Sequence, residues 1–426
     1  MGGPPKHARK TKSRPPAART RVEHDLIGAL EIPATALYGI QTARSAANLA
    51  FSGSTLGDYP AMVRGLAMVK WAAACANLDA GVIDAPVARA IEHACRALMA
   101  GGYRDDLIAD PLGGGGSIGI NQNVNEVIAN LASEHLGGVR GADAIVNPKT
   151  HVNASQSTAD ACATAARIAI LEQARMLEST LTECVRAYRA KARELRRVIT
   201  LARTCLQDAQ PTSLGEFLSG HAAVLERRGA ELARTVRELR RVNLGGTVIG
   251  AGTGAPAAYR RVIVRRLRQV TGLDLIARKN LFDAAQNIDD LGAVAAALGM
   301  LAEVLLKLAQ DLRLLASGPE GGFGEITLPE VQEGSSFFPG KINPVVPETM
   351  LQCCFQVLGH ERAARLALER GELNLNVFEG AAAINLLEAV AILSRGVALF
   401  SSRCITGIGA NEARCRELAA RSRFKA

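Results

Sequence analysis

The most informative part of this sequence is Gly334-Ser335-Ser336-Phe337-Phe338-Pro339-Gly340-Lys341-Ile342-Asn343-Pro344. Two glycines and two prolines in so short a segment exclude a helix and predict a shaped loop. Lys341 supplies a positive charge, Asn343 offers directional hydrogen bonds, and a serine can act as a reacting group. The pattern suits a site for a small anion, and the alternative is a polar surface turn.

This loop closely resembles the signature of the aspartase/fumarase superfamily, Gly-Ser-Ser-x-Met-Pro-x-Lys-x-Asn, with Phe338 where methionine is usual. Other blocks that resemble the family occur in the same order along residues 21 to 410. They are Glu23-His24-Asp25-Leu26-Ile27-Gly28, Tyr38-Gly39-Ile40-Gln41-Thr42, Asn121-Gln122-Asn123-Val124-Asn125-Glu126, the segment from His151 to Asp160, and Arg203-Thr204-Cys205-Leu206-Gln207-Asp208. Within the superfamily, the resemblance points to the aspartase and class II fumarase branch.

Helical periodicity dominates the second half of the chain. Alanine, leucine and arginine are abundant, and apolar residues recur at helical spacing from residue 157 to 198. Further long helices are predicted at 212–240, 256–272, 290–316, 345–368 and 380–402, whereas residues 22–145 read as short helices with glycine-rich turns. Long helices that are apolar on several sides predict a bundle, and faces left uncovered suggest an oligomer.

The resemblance implies a more specific architecture than the periodicity does. It implies a mainly α, three-domain fold whose central long-helix bundle forms the twenty-helix core of a homotetramer, with active sites built from three subunits. We expect a basic arm at 1–21, an N-terminal domain at 22–145, a central helical bundle domain at 146–402 and a short remnant of the C-terminal domain at 403–426. The family's C-terminal domain continues through several more helices, so a truncated one is expected here.

The net charge of +9 is concentrated at the N-terminus. Residues 1–21 hold seven Lys or Arg and no acid, and subtracting those seven from nine leaves +2 for the rest. We favour a solvated, disordered arm, and the alternative is an arm that contacts nucleic acid or an anionic surface. The arm has no apolar segment of the kind that a secretory signal requires, and nucleic acid is not expected as a partner.

Cysteine usage and hydropathy favour a cytoplasmic protein. None of the nine cysteines forms a Cys-x-x-Cys pair, and most lie in apolar helical surroundings, which is typical of small buried residues in a reduced protein. No apolar run is read as long enough to cross a membrane, because Glu303 and Lys307 interrupt the longest one. The scattered histidines lack metal-ligand spacing, so neither a metal nor a cofactor is expected.

The expected chemistry is β-elimination from a four-carbon dicarboxylate. A base must take a weakly acidic proton from the carbon beside one carboxylate, so hydrogen-bond donors must surround that carboxylate as it becomes an enediolate. By resemblance, Ser335 is the base. Ser336, Ser157 and Thr158 align with donors around the developing enediolate. The family's contacts to the other carboxylate align with Thr204, Lys341 and Asn343.

Departures from the family pattern cluster where the leaving group is expected. Ala159 replaces an asparagine, and Cys205 replaces a histidine, or a glutamine in some aspartases. A family threonine aligns with Ile118 or Ser117, depending on a one-residue gap. Glu348, which pairs with the histidine in the fumarase pattern, would face Cys205, and this disfavours hydratase chemistry.

The favoured function is reversible elimination of ammonia from L-aspartate to give fumarate, with a serine base. One alternative is a fumarate-releasing lyase with another leaving group, either an N-substituted aspartate or malate as in a fumarase. A second alternative is a weakly active homologue that serves as a binding or structural protein.

Overall fold

The computed structural model describes residues 19–142 and 144–424. Most of the predicted basic arm lies outside these described residues, and only its last residues are seen, where Thr20 and Arg21 begin a strand. The described chain is mostly helical, as predicted. The expected domain boundaries at 145/146 and 402/403 stay predictions.

The part of the chain before the longest helix forms a hairpin and a group of helices. In order, these elements are β1 (Thr20–His24), β2 (Ala29–Pro33), α1 (Ile40–Leu49), α2 (Pro60–Asp79), α3 (Ala85–Met99) and α4 (Ile118–His135). β1 and β2 are antiparallel, with Val22 opposite Glu31. Single helical turns lie at Leu56–Asp58, Arg104–Asp106 and Pro148–Val152.

Long helices linked by short strands make up the rest. They are α5 (Thr158–Glu194), β3 (Ile199–Thr204), β4 (Gln207–Ser213), α6 (Leu214–Glu238), β5 (Arg241–Val242), α7 (Ala257–Thr271), β6 (Ile276–Ala277), α8 (Leu281–Gln286), α9 (Asp289–Leu315), β7 (Ile326–Thr327), α10 (Val345–Glu369), α11 (Glu379–Arg403), β8 (Gly409–Ala410) and α12 (Glu412–Ala420). A further single turn lies at Ile405–Gly407. The long helices match the predicted ranges closely.

Five helices, α5, α6, α9, α10 and α11, form the central bundle. α5 packs against α6 and α11, α9 packs against α6 and α10, and α2 covers another side of α5. The apolar core runs without a break from α2 through the bundle to Cys415 in α12. A bundle of this kind holds the helix ends in fixed positions, and two of the candidate-site segments, the start of α5 and the loop before α10, lie at such ends.

A capping box starts α5, the longest helix. The Ser157 hydroxyl accepts from the Ala159 amide, and the Asp160 carboxylate accepts from the Ser157 amide at 2.9 Å. The helix then runs for 37 residues, in which neither glycine nor proline occurs. Capping satisfies amides that would otherwise lack partners, so this sequence pattern fixes where the helix begins.

Buried charges join three helices inside the bundle. Arg167 of α5 makes a two-pronged contact to Asp290 of α9, with N–O distances of 2.7 and 2.9 Å, and a further contact to Glu379 of α11. Arg278 also donates to Asp290 at 2.6 Å. Two cations therefore face two anions, and removing any one of them would leave an uncompensated buried charge.

Two parts of the fold differ from the sequence expectation. Residues 22–145 contain helices of 20 and 18 residues, α2 and α4, rather than short helices only. The β1–β2 and β3–β4 hairpins were not predicted. Each strand has only five to seven residues, and runs this short give weak periodic signals.

Two helical segments, Asp289–Leu315 and Glu379–Gly407, are long and apolar enough to cross a membrane, judged by length and composition alone. The expectation that no run reaches that length is therefore wrong by this measure, because an 18-residue window tolerates two charged residues. In each segment 56% of the apolar window is buried inside the chain, and core helices of bundles meet the same criterion.

We predict that Gly65→Ala destabilises the fold while Gly220→Ala does not. A Cβ on Gly65 of α2 would lie 2.5 Å from the carbonyl oxygen of Ala165 in α5, so the two helices would have to separate. Overpacking of this kind costs about 1–3 kcal/mol in the free energy of unfolding. Chemical denaturation measures the change.

Gly220 is the matched control, because it is also a helical glycine and a Cβ there would meet nothing within 4 Å. Alanine at that position should be neutral or stabilise by about 0.5–1 kcal/mol, since it lowers the entropy lost on folding. Equal effects of the two substitutions would show that the α2–α5 contact does not constrain the bundle.

Candidate active site

The predicted signature loop is a closed turn before α10. The Gly334 amide donates to the Lys341 carbonyl at 2.8 Å, and the Asn343 side-chain amide donates to the Gly334 carbonyl at 2.7 Å. A Cβ on Gly334 would lie 2.5 Å from that Lys341 oxygen, so glycine permits the closure. Asn343 thus holds the loop shut with its amide nitrogen, while Lys341 stays exposed.

The Ser335 hydroxyl oxygen sits in a small nest of backbone donors. It accepts from the amides of Phe337 at 3.1 Å and Phe338 at 2.9 Å. Two N–H groups directed at one oxygen favour its negatively charged form, which a serine base requires. Ser335 is half-buried and Ser336 is exposed, so both hydroxyls are accessible from outside the chain.

The N-terminus of α5 carries the second predicted group. Ser157 is the N-cap, and Thr158 is the first helical residue, whose hydroxyl oxygen accepts from the Asn121 side chain at 3.0 Å. The positive end of a helix dipole favours a carboxylate at this position. Ser157 therefore caps the helix, and it remains only half-buried beside the predicted anion position.

Asp160 anchors the start of α5 from its buried side. Its carboxylate accepts from the backbone amides of Gly245 and Thr247, each at 2.9 Å, in addition to Ser157. Burial raises the pKa of Asp160, and the three backbone donors oppose that rise.

A buried lysine lies under the same helix start. Lys70 Nζ donates to the side-chain oxygen of Asn153 at 2.9 Å, and that oxygen also accepts from the side chains of Asn121 and Asn125. Burial lowers the pKa of Lys70 to about 8. Through Asn121, the network connects a buried cation to the Thr158 hydroxyl.

Ser117, one of the two residues that could align with the family threonine, lies beside Thr158. It is the N-cap of α4, with a left-handed backbone at φ 58°, whereas Ile118 begins the helix and its side chain is 53% exposed. A cavity of about 20 Å³ is lined by Ser117, Thr158 and Ala159, together with Glu379 at the start of α11. The structure therefore brings Ser117, Thr158 and Ala159 together.

Thr204 and Cys205 lie at the tip of the β3–β4 hairpin. Thr204 pairs with Gln207, and the two residues between them, Cys205 and Leu206, both have positive φ, at 52° and 60°. This is the pattern of a two-residue type I′ turn. Next to the tip, Arg203 donates to the buried carboxylate of Glu325, and Thr204 and Cys205 are exposed to solvent.

Glu348 contacts an arginine within the chain. Its carboxylate accepts from Arg313 Nη2 at 3.3 Å, because Glu348 lies in the first turn of α10, which packs along α9, the helix that carries Arg313. That Glu348 faces Cys205 stays a prediction.

The predicted residues form three separate groups in one chain. The groups are Ser117, Ser157 and Thr158 at helix starts; Thr204 and Cys205 on the hairpin; and Ser335, Ser336, Lys341 and Asn343 in the loop. Among the described residues, no hydrogen bond joins one group to another. The sequence analysis assigned these residues to two carboxylate-binding sets that cut across the three groups, and both sets stay predictions.

Sequence reasoning missed four polar residues around the α5 start, namely Lys70, Asn153, Asp160 and Glu379. Lys70 had a usable signal, because it is a single charge inside the apolar run from Met68 to Ala74. Asp160 also had one, because Ser-x-x-Asp before a helix is a capping box. Glu379 had no usable sequence signal, because an acidic residue at the start of a helix is already explained by the helix dipole.

Metal ligands were not expected, and the described part of the chain contains no group of three or more His, Cys, Asp or Glu side chains placed to hold an ion. His93 and His135, far apart in sequence, stack with ring centroids 4.2 Å apart. The exposed Cys205 is free, as are the other eight cysteines, most of which are buried.

Comparison with known proteins gives consistent matches over nearly the whole chain. A family profile described as lyase matches residues 28–359. Aspartate ammonia-lyase of Helicobacter pylori strain J99 is 42% identical over 397 residues, covering 93% of this chain and 85% of the relative. The enzyme of the same name from Escherichia coli K12 is 39% identical, covering 93% and 83%.

Solved structures agree with the sequence matches. A fumarate lyase:delta crystallin from Brucella melitensis, bound to cobalt, superposes with a TM-score of 0.93 at 42% identity, covering 95% of this chain and 88% of that one. A class II fumarase from Schistosoma mansoni gives a TM-score of 0.91 at 30% identity, covering 94% and 87%. With helix bundle, signature loop and relatives in agreement, this chain belongs to the lyase family of the aspartase/fumarase superfamily, in the aspartate ammonia-lyase and class II fumarase branch.

Proposed function

We propose that this protein is an aspartate ammonia-lyase, which converts L-aspartate reversibly into fumarate and ammonia. The observation that carries the proposal is the Ser335 hydroxyl, which accepts two backbone hydrogen bonds in a loop closed by Gly334 and Asn343. Relatives named aspartate ammonia-lyase, about 40% identical over more than nine-tenths of the chain, support the assignment.

Ser335 acts as the base in this proposal. Its alkoxide removes a proton from the carbon next to one substrate carboxylate, and the electron pair spreads into that carboxylate as an enediolate. The C–N bond to the neighbouring carbon then breaks, a C=C bond forms, and ammonia leaves. The amides of Phe337 and Phe338 stabilise the alkoxide, because they already point at the oxygen and need no reorganisation.

The two carboxylates are held by different groups. Ser157, Thr158 and Ser336 donate to the carboxylate that becomes the enediolate, and the N-terminus of α5 adds a favourable dipole where the charge grows. Thr204, Lys341 and Asn343 hold the other carboxylate. Asn343 uses one N–H of its side-chain amide to close the loop, so its second N–H and the Lys341 ammonium are the groups that can donate to the carboxylate.

The site is shared between subunits of a homotetramer. One chain keeps its three groups of site residues apart, and the loop exposes apolar side chains, with Phe337 81% and Phe338 58% accessible. Exposed aromatic rings beside a reactive serine are typical of a surface that a partner subunit covers. We also propose a cytoplasmic location, in keeping with nine free cysteines.

A second candidate is a lyase that expels a larger amine from an N-substituted aspartate. Ala159 and Cys205 favour it, since both side chains are shorter than those of the family pattern and Cys205 is exposed at the hairpin tip. A malate-type reaction is disfavoured, because Glu348 pairs with Arg313 in the chain and no histidine stands at position 205. The ordered Ser335 nest argues against a purely structural homologue.

We predict that Ser335→Ala loses turnover by about 10³-fold or more and keeps its oligomeric state and dicarboxylate binding, because only the base is removed. Fumarate absorbance measures turnover, and light scattering measures the mass. Ser402→Ala is the matched control, since this exposed serine only bonds the preceding helical turn. Turnover near the wild-type rate in Ser335→Ala would exclude Ser335 as the base.

We predict that two inactive variants complement each other. Ser335→Ala and Thr204→Ala chains, mixed under conditions that exchange subunits, should regain part of the wild-type activity, because some mixed sites receive both intact groups. Each variant exchanged with itself is the control. A monomeric mass, or no recovery after exchange has been verified, would contradict the shared site.

We predict that aspartate is a slow substrate and that Ala159→Asn combined with Cys205→His or Cys205→Gln accelerates its deamination. Each missing hydrogen bond to a polar leaving group costs about 1–3 kcal/mol, so one restored contact corresponds to a gain of roughly 5- to 140-fold. Steady-state kinetics test this, with the single variants as controls. A normal wild-type rate together with no gain would show that both departures are neutral.

A further inference from the structure

Glu379 is a buried acid that the proposed mechanism does not use. It begins α11, and its side chain is 12% exposed. One carboxylate oxygen, Oε1, accepts from Arg167 Nη1 at 2.5 Å. Within residues 19–142 and 144–424, the other oxygen, Oε2, receives no hydrogen bond, although Glu379 lines the cavity beside Thr158 and Ala159.

The cavity has the size for one water molecule, and four polar residues interrupt a wall that is otherwise apolar. Its volume of about 20 Å³ exceeds the roughly 10–15 Å³ that a single water needs. A buried water also needs two to four polar partners, and Ser117, Thr158, Asn376 and Glu379 all contribute to the wall. Ser117 Oγ occupies the space that a Cβ on Gly380 would take, which brings that hydroxyl next to the start of α11.

The charges around Glu379 are balanced. Arg167 and Arg278 face Asp290 and Glu379, so the cluster carries no net charge when all four groups are ionised. Burial raises the pKa of Glu379, and the Arg167 guanidinium opposes that rise. Because Arg167 bonds only to Oε1, the attraction at short range comes from the unbonded oxygen Oε2, and a cationic donor there makes a stronger hydrogen bond than a neutral hydroxyl does.

The position of the cavity gives this preference a role in the reaction. Ala159 lies in its wall, at the place where the family pattern has a residue near the leaving group, and Thr158 belongs to the carboxylate-binding group. A water held by Glu379 would therefore sit between a fixed negative charge and the leaving group of the bound substrate.

We propose that Glu379 holds one water in this cavity and, through it, selects a cationic amino group on the substrate over a hydroxyl group. Glu379 is then a positioning residue for specificity, and it touches the substrate only through the water. The inference deepens the proposed function and rests on it, since it concerns the amino group of aspartate.

Binding to Glu379→Gln tests the inference. Calorimetry would compare aspartate, malate and succinate in a Ser335→Ala background, where no turnover interferes. We expect aspartate to bind about 10-fold more weakly, as for the loss of one charge-assisted contact, while malate and succinate change by less than about 2-fold. Glu379→Asp, which keeps the charge, should retain most of the preference for aspartate.

A general effect on the bundle would look different. Glu172→Gln is the matched control, because it removes an acidic charge from α5 that pairs with Arg64 away from the cavity, and it should leave all three affinities unchanged. Equal weakening of aspartate, malate and succinate in Glu379→Gln, or unchanged aspartate affinity, would overturn the proposal.

The proposed function and the inference fail separately. Wild type that forms no fumarate from aspartate, but whose preference for aspartate over malate depends on Glu379, would reject the lyase assignment alone. Normal fumarate formation with no such dependence would reject the inference alone. If Glu379→Gln does not fold, a crystal structure of the wild type decides: one water bonded to Glu379 and Thr158 supports the proposal, and a dry cavity overturns it.

Discussion

The rest of the site depends on the buried carboxylate of Asp160. It joins the first turn of α5 to the segment that contains Gly245 and Thr247, and it closes the capping box with Ser157. A helix of 37 residues would otherwise begin with amides that lack partners. Because Asp160 accepts from the Ser157 amide on the buried side of the helix start, Thr158 and the half-buried Ser157 can face a ligand on the accessible side.

On the buried side of the start of α5, several polar side chains share a hydrogen-bond network. Asn121 and Asn125 share one oxygen of Asn153 with the ammonium group of Lys70, and Asn121 also reaches the Thr158 hydroxyl. Burying a lysine with a single hydrogen bond is costly, and the lowered pKa of Lys70 reflects that cost. A cation placed there raises the electrostatic potential where the carboxylate charge is expected to grow.

The sequence predicted the bundle well because its signals are local. The helix predicted at 212–240 is observed at Leu214–Glu238, between a Ser-x-x-Glu cap and a turn, and the other long helices match equally closely. The signature loop around Ser335 was also predicted. The β3–β4 hairpin was not predicted, because the usual sequence signal of a type I′ turn is Asn-Gly, whereas this turn contains Cys205 and Leu206. Backbone donors to Ser335 were expected from the loop, and the observed ones are local, because Phe337 and Phe338 follow Ser335 by two and three residues. The cavity beside Glu379 could not be predicted, since it depends on how distant segments pack.

The turn at the hairpin tip has a strained backbone at a position with a predicted functional role. A leucine and a cysteine with positive φ cost about 1 kcal/mol each relative to glycine, and an Asn-Gly pair would relieve that strain. An Asn-Gly turn would, however, replace the Cys205 thiol by a carboxamide, at a position where the family pattern has a residue near the leaving group. Relieving the backbone strain of this turn and keeping the predicted role of position 205 therefore make opposing demands on one residue.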